Sequence, residues 1–239
     1  MTEEQKKIQD SLAAKYGVPP ETKKDERSIS DIINDLKKNY SQRPSQPEPK
    51  DLTEADITQI YVTEYKNQVA YRNKKFVVTE EFESETSQIV AWLAGGYLEN
   101  RWLYLQGKCG NGKSTAQKAI CATLAKMGMT ITAKSDMDLS LLGQTMQQST
   151  IQQVRQRAEN EYTSLFAVPI FSIDDFGVGN EKFTSEVYLR RYENQSITIF
   201  STNLDFGEIE KTYSSRLADR FYEMSEVVRF WGDSYRRMK

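Results

Sequence analysis

Residues 102–115 read Trp-Leu-Tyr-Leu-Gln-Gly-Lys-Cys-Gly-Asn-Gly-Lys-Ser-Thr. The apolar run 102–105 has the character of a buried strand, and G-x-x-x-x-G-K-S follows it directly. In that pattern Gly107, Gly110 and Gly112 let the backbone curl around a phosphate chain with N–H groups turned inward. Lys113 supplies a charge to the β- and γ-phosphates, and the Ser114 hydroxyl suits a Mg²⁺ shell. Lys108, Cys109 and Asn111 fill the loop, and Thr115 continues into a helix expected over 114–127. The positive end of that helix would face the same phosphates. A glycine-rich loop that binds nothing is the alternative, but the strand before it and the helix after it are the context the mechanism requires. The expectation is ATP with Mg²⁺.

Outward from this stretch, strands and helices alternate. Strands are expected at 129–133, 168–175, 196–203 and 227–230, with helical spacing over 136–165 (one broken helix or two), 185–192 and 212–224. Such alternation predicts a parallel α/β sheet. Upstream, Thr53-Glu-Ala-Asp caps a helix expected to run to about residue 73, a short extended piece is expected at 76–79, and another helix at 83–94 ends at Gly95-Gly96. Residues 1–50 differ in kind: two short amphipathic segments, 3–16 and 28–40, and a Pro-rich linker at 41–49 hold too few apolar residues for a core. The expected division is a flexible, partly disordered partner-binding extension, 1–50, and an ATPase domain, 51–239.

The chain has 239 residues and a formal net charge of −2, so a globally basic nucleic-acid binder is excluded. It holds 2 cysteines and 0 histidines, and neither cysteine has metal-ligand spacing, so a zinc site is not expected. Without the apolar core of a signal peptide or a membrane-length run, a cytoplasmic location and no membrane partner are expected.

In a parallel sheet the carboxyl ends of the strands converge on the ligand. Asp174 and Asp175 close one strand; one carboxylate is assigned to the Mg²⁺ shell and the other to water. Asn203 ends the next strand, where its amide could hold the attacking water. Arg216 and Arg220 lie one helical turn apart on Ser-Ser-Arg-Leu-Ala-Asp-Arg-Phe and either decorate a solvated face, paired to Asp219 or Glu223, or reach a neighbouring subunit's γ-phosphate.

The ordered set G-K-C-G-N-G-K-S, Ile-Asp-Asp-Phe-Gly, Phe-Ser-Thr-Asn-Leu, Ser-Arg-Leu-Ala-Asp-Arg-Phe and Trp-Gly-Asp-Ser-Tyr-Arg resembles the DnaC/IstB branch of AAA+ ATPases over about 76–237. These are bacterial replicative-helicase loaders and transposition helpers. The resemblance implies a parallel five-stranded sheet between helices, open spirals or filaments of subunits, and ATP at their junctions. It makes Asp174 the Mg²⁺-side acid, Asp175 the water-activating acid, Asn203 the first sensor, Arg220 the arginine finger with Arg216 its helper, and Arg236 the second sensor. Two departures stand out: most AAA+ proteins carry Glu where Asp175 stands, and little chain remains after Trp231 to form a lid. The implied function is ATP-dependent loading of a replicative helicase, held through residues 1–50, with single-stranded DNA met by the core. Arg155, Arg157 and Lys134 are the first places to look for that contact, although a solvated helix face is the commoner reading of such charges. A duplex-DNA transposition helper, a small-molecule kinase and a non-hydrolysing nucleotide-gated scaffold are the alternatives.

Overall fold

The computed structural model describes residues 52–231. The two segments expected to be helical within 1–50, and Arg236, lie outside them.

Five strands form one sheet: β1 (Trp102–Gly107), β2 (Ile131–Ser135), β3 (Ile170–Phe176), β4 (Ile197–Thr202) and β5 (Ser225–Phe230), in the order β2-β3-β4-β1-β5. Every pairing is parallel, as expected. The order places β4 between β1 and β3, so the glycine-rich-loop strand and the strand of the two carboxylates are separated by the strand that Asn203 directly follows.

Alternation along the strands sorts their side chains onto two faces. Leu103, Leu105, Ile199 and Val228 pack with helices α1 (Glu54–Tyr71), α2 (Glu80–Leu93) and α3 (Lys113–Lys126). Trp102, Tyr104, Phe171, Ile173 and Phe200 pack with α4 (Asp136–Gln148), α5 (Gln152–Ser164), α6 (Glu181–Glu193), α7 (Phe206–Thr212) and α8 (Ser215–Met224). The result is a sheet between two helical layers. The second face is aromatic-rich: Phe176, Phe200 and Phe221 meet with ring centroids 4.8–5.3 Å apart. Each such ring contributes about 1.5–3 kcal/mol by burial alone.

Caps decide where the helices begin. Thr53 and Asp56 form the expected capping box of α1. Helix α2 starts a turn earlier than its apolar pattern suggested, because Thr79 accepts from the Phe82 N–H. In the same way, Asn180 starts α6 ahead of the expected residue 185. The polar stretch after β2 resolves into two helices, separated where Ser149 adopts an extended ψ of 131°. The helix expected over 212–224 starts at Ser215, because Ser214 has left the helical region (φ −177°) and caps α8 instead; α7, ending at Thr212, was not expected. The extended piece expected at 76–79 joins no strand; Phe76 instead packs edge-on to Phe82, 5.1 Å away.

Beneath the sheet, Arg191 is fully buried. Its guanidinium donates to Leu165 O, Val168 O, Ile197 O and Thr198 Oγ1 at 2.6–2.9 Å. All four acceptors are neutral, and burial lowers its pKa to about 9. The arginine ties the α5–β3 connection to the start of β4.

Candidate active site

The loop from Gly107 to Ser114 is shaped by its glycines, but not all for one reason. Gly110 and Gly112 adopt φ of +94° and +95°, where a side chain would be strained. Gly107 is needed for space: a Cβ there would lie 2.5 Å from Phe230 O. Asn111, also buried, donates from Nδ2 to the same carbonyl at 3.1 Å. The loop is thus pinned to the end of β5. Helix α3 then starts from Gly112 with no side-chain cap, leaving its N-terminus to be completed by an anion.

Across the mouth of the sheet the assigned residues meet. Lys113 is 7% exposed. Its Nζ donates to Gly107 O (2.6 Å), Lys108 O (2.8 Å) and Asn203 Oδ1 (2.9 Å). Ser114 Oγ donates to Asp174 Oδ1 at 2.9 Å, and Ser201 Oγ donates to the same oxygen. Behind them Gln117 Nε2 donates to Ser172 Oγ at 2.9 Å, joining α3 to β3.

Asp174 and Asp175 sit at an irregularity in β3, where Ile173 opposes Phe200 but Phe176 opposes Thr202. Three residues of β3 therefore advance against two of β4, which is the signature of a bulge. Asp175 takes φ +53° there, and its N–H is held by Ser201 Oγ (3.2 Å) and Asp174 Oδ1 (3.1 Å). Its side chain is exposed at the strand end, where it can meet water.

A third carboxylate supports this loop from behind. Asp136, the first residue of α4, is fully buried. Its Oδ2 accepts from the N–H groups of Gly177 (2.9 Å) and Gly179 (2.8 Å) and from the Tyr213 hydroxyl (3.4 Å), while its Oδ1 accepts from the Tyr188 hydroxyl. Burial first, and then the Asp136 charge, raise the pKa of both tyrosines, so both stay protonated donors.

Arg216 is exposed on α8. Arg220, one turn on, is only partly so. Its guanidinium lies over the Tyr192 ring, 4.3 Å from the centroid, and its Nη1 is 3.7 Å from Glu223 Oε2. Tyr192 donates its hydroxyl to the same Glu223 oxygen at 2.8 Å, and Arg220 Nε is buried without a partner. Of the pairings open to the arginines, Glu223 is therefore the one made.

The loop, the uncapped helix and the Ser114–Asp174 contact suit a nucleoside triphosphate with Mg²⁺. Lys113 and the loop N–H groups would take phosphate; Ser114 and Asp174 would contribute to the metal. Among the described residues no group of three or more His, Cys, Asp or Glu gathers as a metal site; phosphate-bound Mg²⁺ draws most ligands from phosphate and water. Sequence reasoning missed Asp136, Tyr192 and Ser201, whose roles depend on neighbours distant in the chain. Arg155 and Arg157 are exposed on α5, whereas Lys134 is engaged by Glu161 at 2.7 Å. No described helix is long and apolar enough to cross a membrane.

No known family profile and no curated protein matches the sequence. Solved structures do match. The DnaC helicase loader superposes with a TM-score of 0.56 at 17% identity, covering 65% of this chain and 93% of that one. DnaI gives 0.52 at 16%, covering 68% and 88%. The replication initiator DnaA bound to AMPPCP and single-stranded DNA gives 0.50 at 20%, covering 66% and 49%. At such identities the likeness is one of fold: the chain shares with these proteins a five-stranded parallel sheet between helical layers.

Proposed function

We propose that this chain is an ATP-dependent loader of a replicative DNA helicase, hydrolysing ATP at junctions between its own subunits and meeting single-stranded DNA. The observation that carries the reading is the convergence of Lys113, Ser114, Asp174 and Asn203 from the loop, β3 and β4 within hydrogen-bond reach, on a fold shared with a helicase loader.

In this reading Gly107 to Thr115 cradle the phosphates, and Lys113 exchanges its internal acceptors for phosphate oxygens. Ser114 and Asp174 hold Mg²⁺, which when bound neutralises charge on the β- and γ-phosphates. Asp175 takes the proton of the attacking water and Asn203 orients that water. Arg220, helped by Arg216, leaves Tyr192 and Glu223 to reach the γ-phosphate of the adjoining subunit, and Arg236 meets the nucleotide in its own subunit. Asp175 is one methylene shorter than the Glu of most AAA+ proteins, so turnover is slow and rises with DNA or partner. Residues 1–50 grip the helicase.

The test is a pull-down from the native host with MgATP, using the full chain, its Lys113→Ala variant and residues 51–239. Recovery of a hexameric replicative helicase by the full chain alone supports the reading and assigns the grip to residues 1–50. Recovery of a transposase would replace it with the transposition-helper function. Unchanged ATP affinity in Lys113→Ala would overturn the nucleotide assignment itself.

A further inference from the structure

We infer that Asp136 is a positioning residue that joins the Asp175 bulge and the arginine helix α8 into one mechanical unit, so that nucleotide in a subunit's own site sets the pose of the arginines it offers to the next. The inference rests on the nucleotide-binding reading above and adds a path between two sites that reading leaves separate.

A fully buried carboxylate is tolerated only when its oxygens are well served by donors. The donors of Asp136 come from three places, one of which, the Tyr188 hydroxyl, belongs to α6; the other two carry the coupling. Gly177 and Gly179 form the loop immediately after Asp174, Asp175 and Phe176. Tyr213 occupies the link between α7 and α8, three residues before Arg216. The first connection has no slack, since a Cβ on Gly179 would stand 2.5 Å from Asp136 O. The loop behind Asp175 cannot shift without moving the first turn of α4 or breaking these bonds.

A second, apolar connection runs parallel to the first. Phe176 directly follows the two carboxylates, and its ring stacks on Tyr213 (5.2 Å between centroids, 10° between planes) and on Phe221 (5.0 Å, 28°). Tyr213 and Phe221 bracket Arg216 and Arg220 in sequence. A change in the pose of Asp175 is therefore transmitted by ring contacts to both ends of the segment that carries the arginines, with Asp136 holding the far side of Tyr213. Tightly packed contacts of this kind move as a unit rather than deforming gradually.

The test is hydrogen exchange in the full chain with and without Mg-ATPγS, read on peptides spanning 213–224, beside nucleotide affinity and turnover. Tyr213→Phe removes one hydroxyl and keeps the ring stack; Asp136→Asn removes the charge. Tyr162→Phe is the control, because its hydroxyl also donates to a buried acceptor, Phe183 O at 2.7 Å, outside this unit. The expected result is that ATPγS changes exchange over 213–224 by about fivefold or more in the unmodified protein and in Tyr162→Phe. In Tyr213→Phe that response is lost while ATPγS affinity stays within about threefold and turnover falls about tenfold. ATPγS binding with no response over 213–224 in the unmodified protein overturns the coupling and leaves the nucleotide reading standing. An equal loss of response in Tyr162→Phe also overturns it, by showing general loosening. If Asp136→Asn does not fold, Tyr213→Phe alone decides. Absence of ATPγS binding by the unmodified protein refutes the underlying reading instead.

Discussion

Asn203→Ala separates two roles that one side chain holds. Its Oδ1 accepts from Lys113 Nζ at 2.9 Å, beside Gly107 O at 2.6 Å and Lys108 O at 2.8 Å. Incoming phosphates must compete for that ammonium, so each internal acceptor weakens nucleotide binding. A hydrogen bond to a charged group is worth about 1.5–3 kcal/mol. Asn203 is exposed, so water replaces it in part, and about 1 kcal/mol is the expected net release. Affinity for ATP should then tighten roughly fivefold. Turnover should move the opposite way, because a preorganised polar group aimed at the reacting atoms is worth roughly 10²–10³ in rate. The assay is competition against a fluorescent ATP analogue, paired with single-turnover hydrolysis of the same preparation. Weaker binding with unchanged single-turnover rate would refute the reasoning, since Asn203 would then serve the bound ground state and not the water.

Gly107→Ala places a methyl group against the Phe230 carbonyl, a backbone atom that no side-chain change can withdraw; a loss of about 1–3 kcal/mol by denaturant unfolding and weaker ATP binding are expected together. Arg220→Ala should leave nucleotide affinity of the isolated subunit unchanged yet lower turnover of the assembled protein by roughly 10³ or more, measured by steady-state hydrolysis across protein concentration. Glu85 is buried on α2, and desolvation, reinforced by Glu81, lifts its pKa from 4.5 to about 8. The folded state then holds a proton the unfolded chain releases, so this group's contribution is full below pH 4.5 and is lost as pH rises to about 8, by at most about 5 kcal/mol. Glu85→Gln should flatten that stretch of the stability-against-pH curve and raise the melting temperature at pH 8.

The phosphate loop, the sheet and the strand-end polar residues were legible because each is written locally. A short apolar run carries its functional residue at its end, and parallel strands bring those ends together. Helix starts were less legible at Glu80 and Glu181, where Thr79 and Asn180 begin the helix before any apolar stripe does. Asp136 was illegible for a different reason. An acid in the first turn after Ser135, with Asp138 completing a capping box, reads as an exposed residue complementing the helix dipole. Its burial comes from N–H groups 41 and 43 residues further along the chain. Arg220 was half legible: its helical spacing with Arg216 and a possible Glu223 partner were visible, whereas Tyr192, from a helix earlier in the chain, was not.

The bulge in β3 bears on which acid can stand at its exposed position. At φ +53°, Asp175 occupies backbone territory that aspartate and asparagine visit far more readily than longer or branched side chains. The shorter acid, which looked like a loss of catalytic reach, is also the one the local backbone admits with least strain. For anyone building a trapped, nucleotide-loaded form, Asp175→Asn is accordingly the conformationally faithful choice. Asp175→Glu would test chemistry and strain at once, and Asp175→Ala would remove the acid while leaving a residue poorly suited to its own main chain.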